Sequence, residues 1–171
     1  MKNSMIRKCL AFAIALIPGF LAAETITLSG VHLCCKGCIR GAEKAATSTG
    51  ATATVDFKKK AVVITAADAA AAQKAVDALA KGGYYGKSSN PSIAIKQDAP
   101  DKKVSSCTVS GVHLCCKKCV RALDKVIDNL DGAESHTAVS QHDTFKVKGD
   151  FSLKALQKAL HAEGLSGTIS E

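Results

Sequence analysis

The stretch SGVHLCCKGCIR at residues 29–40 occurs a second time, as SGVHLCCKKCVR, at residues 110–121. The two copies differ only where Gly37 aligns with Lys118 and where Ile39 aligns with Val120. Outside this window the two halves of the chain diverge quickly. A repeat of this kind predicts two bodies of the same fold, each about the size of a minimal domain.

The first residues have the pattern of a secretory signal peptide. Residues 2–8 supply basic charge, residues 9–21 form an apolar run, and the small residues Ala22 and Ala23 precede the expected cleavage site. The run is shorter than the roughly 20 apolar residues that span a bilayer. We therefore expect a signal peptide at residues 1–23 and a periplasmic or secreted mature chain that does not span a membrane.

The charge and aromatic content argue against nucleic-acid binding. The chain has 23 Lys and Arg against 15 Asp and Glu, a net charge of +8, and loss of the signal peptide lowers it to about +5. The basic residues are scattered, aromatic residues make up 4% of the chain, and Trp is absent. A nucleic-acid surface needs clustered basic residues with stacking rings, so we expect no nucleic-acid partner.

Seven of the eight cysteines remain after cleavage, since Cys9 lies in the signal peptide. Cysteines in exported proteins usually form disulfides, but this number is odd and six of the seven lie in the repeated loops. Adjacent cysteines rarely bridge each other, because disulfide geometry needs Cα atoms further apart. The loops therefore indicate sets of metal-ligating thiols. Cys107 aligns with Ile26 on a predicted strand and is interpreted as a core residue.

Hydrophobic periodicity and turn residues predict the same element order in both halves. In residues 24–90 we predict strands at 25–31, 52–57, 61–65 and 84–89 and helices at 38–48 and 69–81. In residues 104–171 we predict strands at 104–112, from 132, at 144–148 and at 165–170, and helices at 119–130 and from 152. Residues 91–103 are predicted to be a linker. The fold class is α+β, with two tandem ferredoxin-like β-α-β-β-α-β sandwich domains.

The chemistry of each loop follows from its position. Cys38 and Cys119 stand where a helix begins, and unpaired backbone N–H groups there favour the thiolate. Lys36, Lys117 and Lys118 add positive charge, which also lowers thiol pKa values. Two thiolates suit soft, low-coordinate ions, with Cu(I) foremost. A closed structural zinc site normally needs four protein ligands.

A β-α-β-β-α-β body with Cys-x-x-Cys between its first strand and first helix resembles the heavy-metal-associated (HMA) domain. That family includes copper chaperones and periplasmic mercury-binding proteins, and its usual loop reads Gly-Met-Thr/His-Cys-x-x-Cys. The resemblance covers nearly all of the predicted mature chain and implies four ligands, Cys35, Cys38, Cys116 and Cys119. It implies a non-enzymatic protein that binds one ion per loop for sequestration or transfer. A membrane metal transporter or efflux component is the implied partner.

Four more residues of the loops are candidate ligands. Cys34 and Cys115 stand where the family has Thr or His, and each is interpreted either as a third thiolate or as a small buried plug. A third thiolate would also admit Hg(II), Cd(II) or Zn(II). His32 and His113 are interpreted either as further ligands or as solvent-facing residues.

Three other histidines and a tyrosine pair complete the candidates. His136, His142 and His161 occur in one copy only and are predicted to lie on the surface. Tyr84 and Tyr85 are predicted to lie near the first loop, either in the core or with a hydroxyl close to the site.

The main alternative is a thiol–disulfide redox protein that uses the Cys-x-x-Cys pairs. The thioredoxin-like fold places this motif in a single larger domain with a cis-proline loop. Pro18, Pro91 and Pro100 are not positioned for that arrangement. A third hypothesis is an adaptor whose metal-loaded faces dock a membrane partner.

Overall fold

The computed structural model describes residues 23–171. The predicted signal peptide, with Cys9, lies outside the described residues apart from Ala23. The elements of the first half are β1 (Glu24–Ser29), α1 (Lys36–Thr47), β2 (Thr52–Asp56), β3 (Ala61–Ala66), α2 (Ala69–Lys81) and β4 (Lys87–Ser88). Those of the second half are β5 (Lys103–Ser110), α3 (Lys117–Asp128), β6 (Ala133–His136), β7 (Phe145–Ser152), α4 (Leu153–Ala162) and β8 (Thr168–Ser170).

Each half contains one antiparallel four-stranded sheet with its two helices packed against it. The strand orders are β2-β3-β1-β4 and β6-β7-β5-β8, so the first strand of each half pairs with the third and the fourth. This is the ferredoxin-like arrangement, and the predicted α+β class with two tandem copies is confirmed. Among residues 23–171, we find no helix with the length and apolar character that a membrane span requires.

Local sequence signals set the helix starts. Asp68 accepts a hydrogen bond from the Ala71 N–H, and Ser152 accepts one from the Ala155 N–H, so each residue is the N-cap of the helix that follows it. The first helix of each half begins two residues before its predicted start, because Cys35 and Cys116 are the N-cap residues, with extended backbone.

The two halves pack against each other through equivalent residues. Tyr84 and Leu165, which occupy the same position in the two copies, form an antiparallel β-bridge between the halves. On either side of this bridge, the Tyr85 N–H donates to the Gly164 carbonyl and the Ser166 N–H donates to the Gly83 carbonyl, both at 3.0 Å. This reciprocal pattern relates the halves by an approximate two-fold axis.

Two glycines allow the backbones of the halves to approach closely. Gly83 and Gly164 have φ values of +84° and +72°, a conformation that favours glycine. A Cβ on Gly83 would lie 2.1 Å from the backbone nitrogen of His113, and a Cβ on Gly164 would lie 2.4 Å from the backbone nitrogen of His32. Each glycine that ends the second helix of one half therefore packs on the cysteine loop of the other half.

The segment between the halves contacts both of them. Gln73 donates to the Ala94 carbonyl at 3.0 Å, and Ser166 donates to the Gln97 side-chain oxygen at 2.9 Å. His161 also hydrogen-bonds Gln97 and stacks on Tyr85 of the other half, with ring centroids 3.7 Å apart. The prediction of a surface position for His161 is therefore wrong, because the interface half-buries its ring.

Replacing Gly164 with alanine should destabilise the packing of the halves. Gly164→Ala places a methyl group against the backbone of residues 30–32, and we expect a loss of at least about 3 kcal/mol in the free energy of unfolding. Gly50→Ala is the matched control, because Gly50 also has a positive φ (+87°) but open space at its Cβ. The control should lose only about 1–2 kcal/mol from backbone strain. Urea unfolding measures both, and equal losses would contradict this account of the interface.

Candidate metal centre

Each cysteine loop is held between a strand end and a helix start. The Val31 N–H donates to the Lys60 carbonyl, and the Val112 N–H donates to the Asp143 carbonyl, so both loops are tied to their own half. Leu33 and Leu114 are 4% and 3% exposed and anchor the loops in the core. Each loop thus has a buried leucine directly before its first cysteine.

The approximate two-fold axis brings the two loops together at one place. Their six cysteines, which we call the thiol cluster, are Cys34, Cys35, Cys38, Cys115, Cys116 and Cys119. Four contacts between the loops come in equivalent pairs: Cys34–Cys119 and Cys38–Cys115 at 3.5 Å, and Cys34–Cys116 at 3.6 Å with Cys35–Cys115 at 3.4 Å. Cys38 and Cys119 meet across the axis, with their sulfurs 4.0 Å apart.

The sequence predicted one separate site per loop, and the geometry does not separate them. Since the halves pack with both loops facing the axis, sulfurs of different loops are as close as the four sulfur pairs within single loops that lie 3.6–3.9 Å apart. Cys34 and Cys115 are not plugs beneath their own loops, because each contacts two sulfurs of the opposite loop. Both belong to the thiol cluster.

The thiol cluster is partly closed to solvent. Cys38 and Cys119 are 0% exposed, whereas the other four cysteines are half-buried. Cys107 is the seventh thiol of the described chain and lies away from the cluster, 3% exposed in the core of the second half. Burial raises the pKa of the Cys107 thiol to about 11, so it stays protonated. Its predicted core position is confirmed.

Proton sharing dominates the electrostatics of the thiol cluster. The hydrogen bond with Cys119 is the main cause that lowers the pKa of Cys38, and the same hydrogen bond, together with burial, raises the pKa of Cys119. Burial raises the pKa of Cys34 to about 12 and also raises that of Cys115. Burial opposes ionisation of Cys116, but the backbone N–H groups of Cys119 and Lys118 lower its pKa to about 7. The cluster therefore combines two thiols of lowered pKa, Cys38 and Cys116, with three that hold their protons more firmly.

The two loop histidines lie beside the thiol cluster. A ring nitrogen of His32 lies within 4.8 Å of the Cys34 and Cys119 sulfurs. His113 is among the groups that lower the pKa of Cys38, after the hydrogen bond with Cys119. The Nε2 atoms of both histidines are buried and make no hydrogen bond within the described chain. Both rings are thus half-buried next to sulfur, which does not fit the solvent-facing alternative.

Tyr84 links the first loop to the interface. Its ring is 2% exposed and stacks on His113 of the other half, with centroids 4.6 Å apart. Its hydroxyl donates to the Cys38 carbonyl at 3.1 Å. Burial raises the pKa of the Tyr84 phenol, so the group remains a neutral donor. The sequence offered both a core position and a hydroxyl near the site, and the structure combines them.

Basic side chains surround the opening beside His32. The residues that line this groove include Lys60, Lys118, Arg121 and Lys125, all exposed, together with one acidic residue, Glu163. Lys36 and Lys117 are also exposed, at the first position of each helix next to the cysteines. The thiol cluster therefore lies within positively charged surroundings.

Comparisons with solved structures include the following two likenesses. The apo form of the HMA domain of a copper chaperone for superoxide dismutase is 17% identical, with a TM-score of 0.36, over 48% of this chain and 85% of that one. The N-terminal soluble domains of Bacillus subtilis CopA are 15% identical, with a TM-score of 0.32, over 87% of this chain and 95% of that one. No family model matches the sequence, and no curated protein is significantly similar to it.

Proposed function

We propose that this chain is an exported, non-enzymatic protein that binds soft metal ions, Cu(I) foremost, for sequestration or transfer. One observation carries the proposal: six free thiols from two distant loops lie in a single set of contacts of 3.4–4.0 Å. Packing six half-buried or buried thiols together costs desolvation of each polar group. Bound cations would offset that cost, because thiolates are soft ligands that favour Cu(I).

The positive surroundings favour a monovalent ion over divalent ones. Hg(II), Cd(II) and Zn(II) also bind thiolates, but each brings twice the charge of Cu(I) to a site already bordered by Lys60, Lys118 and Arg121. Negative charge left on a Cu(I)–thiolate centre would instead be stabilised by these side chains.

Contacts between the two Cys-x-x-Cys pairs weigh against the redox alternative. A thiol–disulfide enzyme cycles one cysteine pair between dithiol and disulfide. Here Cys38 and Cys119 each contact a sulfur of the other loop at 3.5 Å, so the second cysteine of each pair is shared between the loops. Only the half-buried thiols such as Cys35 and Cys116 are open to an incoming partner. A metal could enter or leave through these thiols by ligand exchange.

The transfer partner would be a protein with an acidic face, such as a membrane metal transporter or efflux component. Exposed Lys36, Lys117 and Lys118 lie next to the thiols where a partner would dock. Attraction between opposite charges would speed the encounter and would weaken with added salt.

The reduced, metal-free protein should compete for Cu(I) and should not turn over disulfides. We expect it to withdraw Cu(I) from a chromophoric chelator, because its thiols are arranged to hold a cation. We expect it not to catalyse the reduction of insulin disulfides by excess dithiothreitol. The double variant Cys35→Ser/Cys116→Ser should compete less well with the chelator for Cu(I). Multiple insulin turnovers without Cu(I) competition would overturn the proposed function in favour of the redox alternative.

Cys34 and Cys115 should contribute to affinity. The double variant Cys34→Ser/Cys115→Ser should weaken Cu(I) binding by at least tenfold, about 1.4 kcal/mol, because it removes four of the contacts between the loops. X-ray absorption should show fewer sulfur ligands per copper than in the parent protein. Cys107→Ala is the control, since it removes a buried thiol outside the cluster and should leave the affinity unchanged. Equal affinity in all three proteins would show that the two thiols are not ligands.

A further inference from the structure

The short contacts among the six sulfurs of the thiol cluster follow the twelve edges of an octahedron. Nine sulfur pairs lie 3.4–4.0 Å apart. Three more pairs lie within 4.8 Å: Cys34–Cys35, Cys35–Cys116 and Cys115–Cys116. An octahedron has twelve edges and three pairs of opposite corners. The three pairs outside this set, which share no cysteine, are Cys34–Cys115, Cys35–Cys119 and Cys38–Cys116.

Alternate faces of this octahedron are four sulfur triads that use every sulfur twice. Three of them have all sulfurs within 4.8 Å: Cys34–Cys35–Cys38, Cys35–Cys115–Cys116 and Cys38–Cys115–Cys119. The fourth is Cys34–Cys116–Cys119, with sides of 3.6, 3.5 and 3.9 Å. Three of the four triads combine the two loops, so neither loop completes them alone.

We propose that the thiol cluster holds about four Cu(I) ions as one polynuclear centre, an inference that rests on the proposed function. One ion lies in each triad with three sulfur ligands, and each thiolate bridges two ions. A metal–sulfur bond of about 2.3 Å in a planar triad requires sulfurs about 4.0 Å apart, close to the distances in this structure. No electron is transferred: each thiol that binds releases its proton to solvent, and copper stays Cu(I).

The charge of such a centre suits its surroundings. Six thiolates with about four Cu(I) ions carry a net charge of about −2, whereas the same number of divalent ions would leave about +2. The basic groove beside His32 stabilises the negatively charged Cu(I) centre and destabilises the positively charged centre of divalent ions. The Nε2 atoms of His32 and His113 are buried without a hydrogen-bond partner in the described chain, and a ring nitrogen of His32 lies within 4.8 Å of the Cys34 and Cys119 sulfurs.

The experiment is an anaerobic titration of the reduced, signal-free chain with Cu(I), followed by native mass spectrometry and copper X-ray absorption. The expected result is a cooperative transition to about four copper ions per chain, with few partly loaded species and a short copper–copper distance. Saturation at two ions without that distance would overturn the polynuclear centre and leave the proposed function intact. Failure to bind Cu(I) would overturn both.

An interface variant tests whether the centre needs both halves. Gly164→Ala retains all six cysteines but moves the first loop away from the second half, and we expect saturation to fall from about four ions to about two, with loss of the copper–copper distance. Gly50→Ala should keep about four. Circular dichroism establishes that both variants are folded. Should Gly164→Ala not fold, Tyr85→Ala, which removes only the stacking on His161, takes its place with the same expected fall. Four ions in a folded, interface-weakened variant would contradict the shared site.

Discussion

The approach of each cysteine loop to the helix-ending glycine of the opposite half is the contact on which the rest of the site depends. Gly83 lies against the backbone at His113, and Gly164 lies against the backbone at His32, at distances that no side chain at either glycine would permit. Two loops that would otherwise lie on separate small domains are thereby held face to face. The sulfur distances between the loops are a consequence of this backbone contact.

The approximate two-fold axis between the halves explains why the loop is nearly identical in both copies while the rest of each half has diverged. A core position only has to fill space within its own sheet and helices, so Ile26 in one copy can be Cys107 in the other, both buried. A residue of the loop must satisfy its own strand end and also meet the opposite loop across the axis. Contacts between equivalent cysteines, such as Cys38 with Cys119, therefore restrict both copies to the same residues.

Most of the fold could be predicted from the sequence, because its signals are local. Asp68 and Ser152 have the residue types of N-caps, and the periodicity of each half gives its strand and helix order. The meeting of the loops could not be predicted in this way, since no local pattern states which surface of one domain packs on another. Some residues that take part in the contact between the halves could be recognised in the sequence, but each had a simpler local explanation. Gly83 and Gly164 follow the ends of α2 and α4, where a glycine is already explained by the end of a helix. His161 was predicted to lie on the surface because its partner, Tyr85, lies in the other half.

A shared centre and two separate loops would handle a metal ion differently. An ion held by two thiolates of one exposed loop can pass to a partner after one new bond forms. In the thiol cluster, Cys38 and Cys119 are inaccessible and each thiolate would bridge two ions, so removing one ion disturbs its neighbours. Release would then begin at the half-buried Cys35 or Cys116 and would be helped by separation of the halves. A shared centre would therefore favour retention of metal over rapid transfer, with the interface as the element that sets the rate.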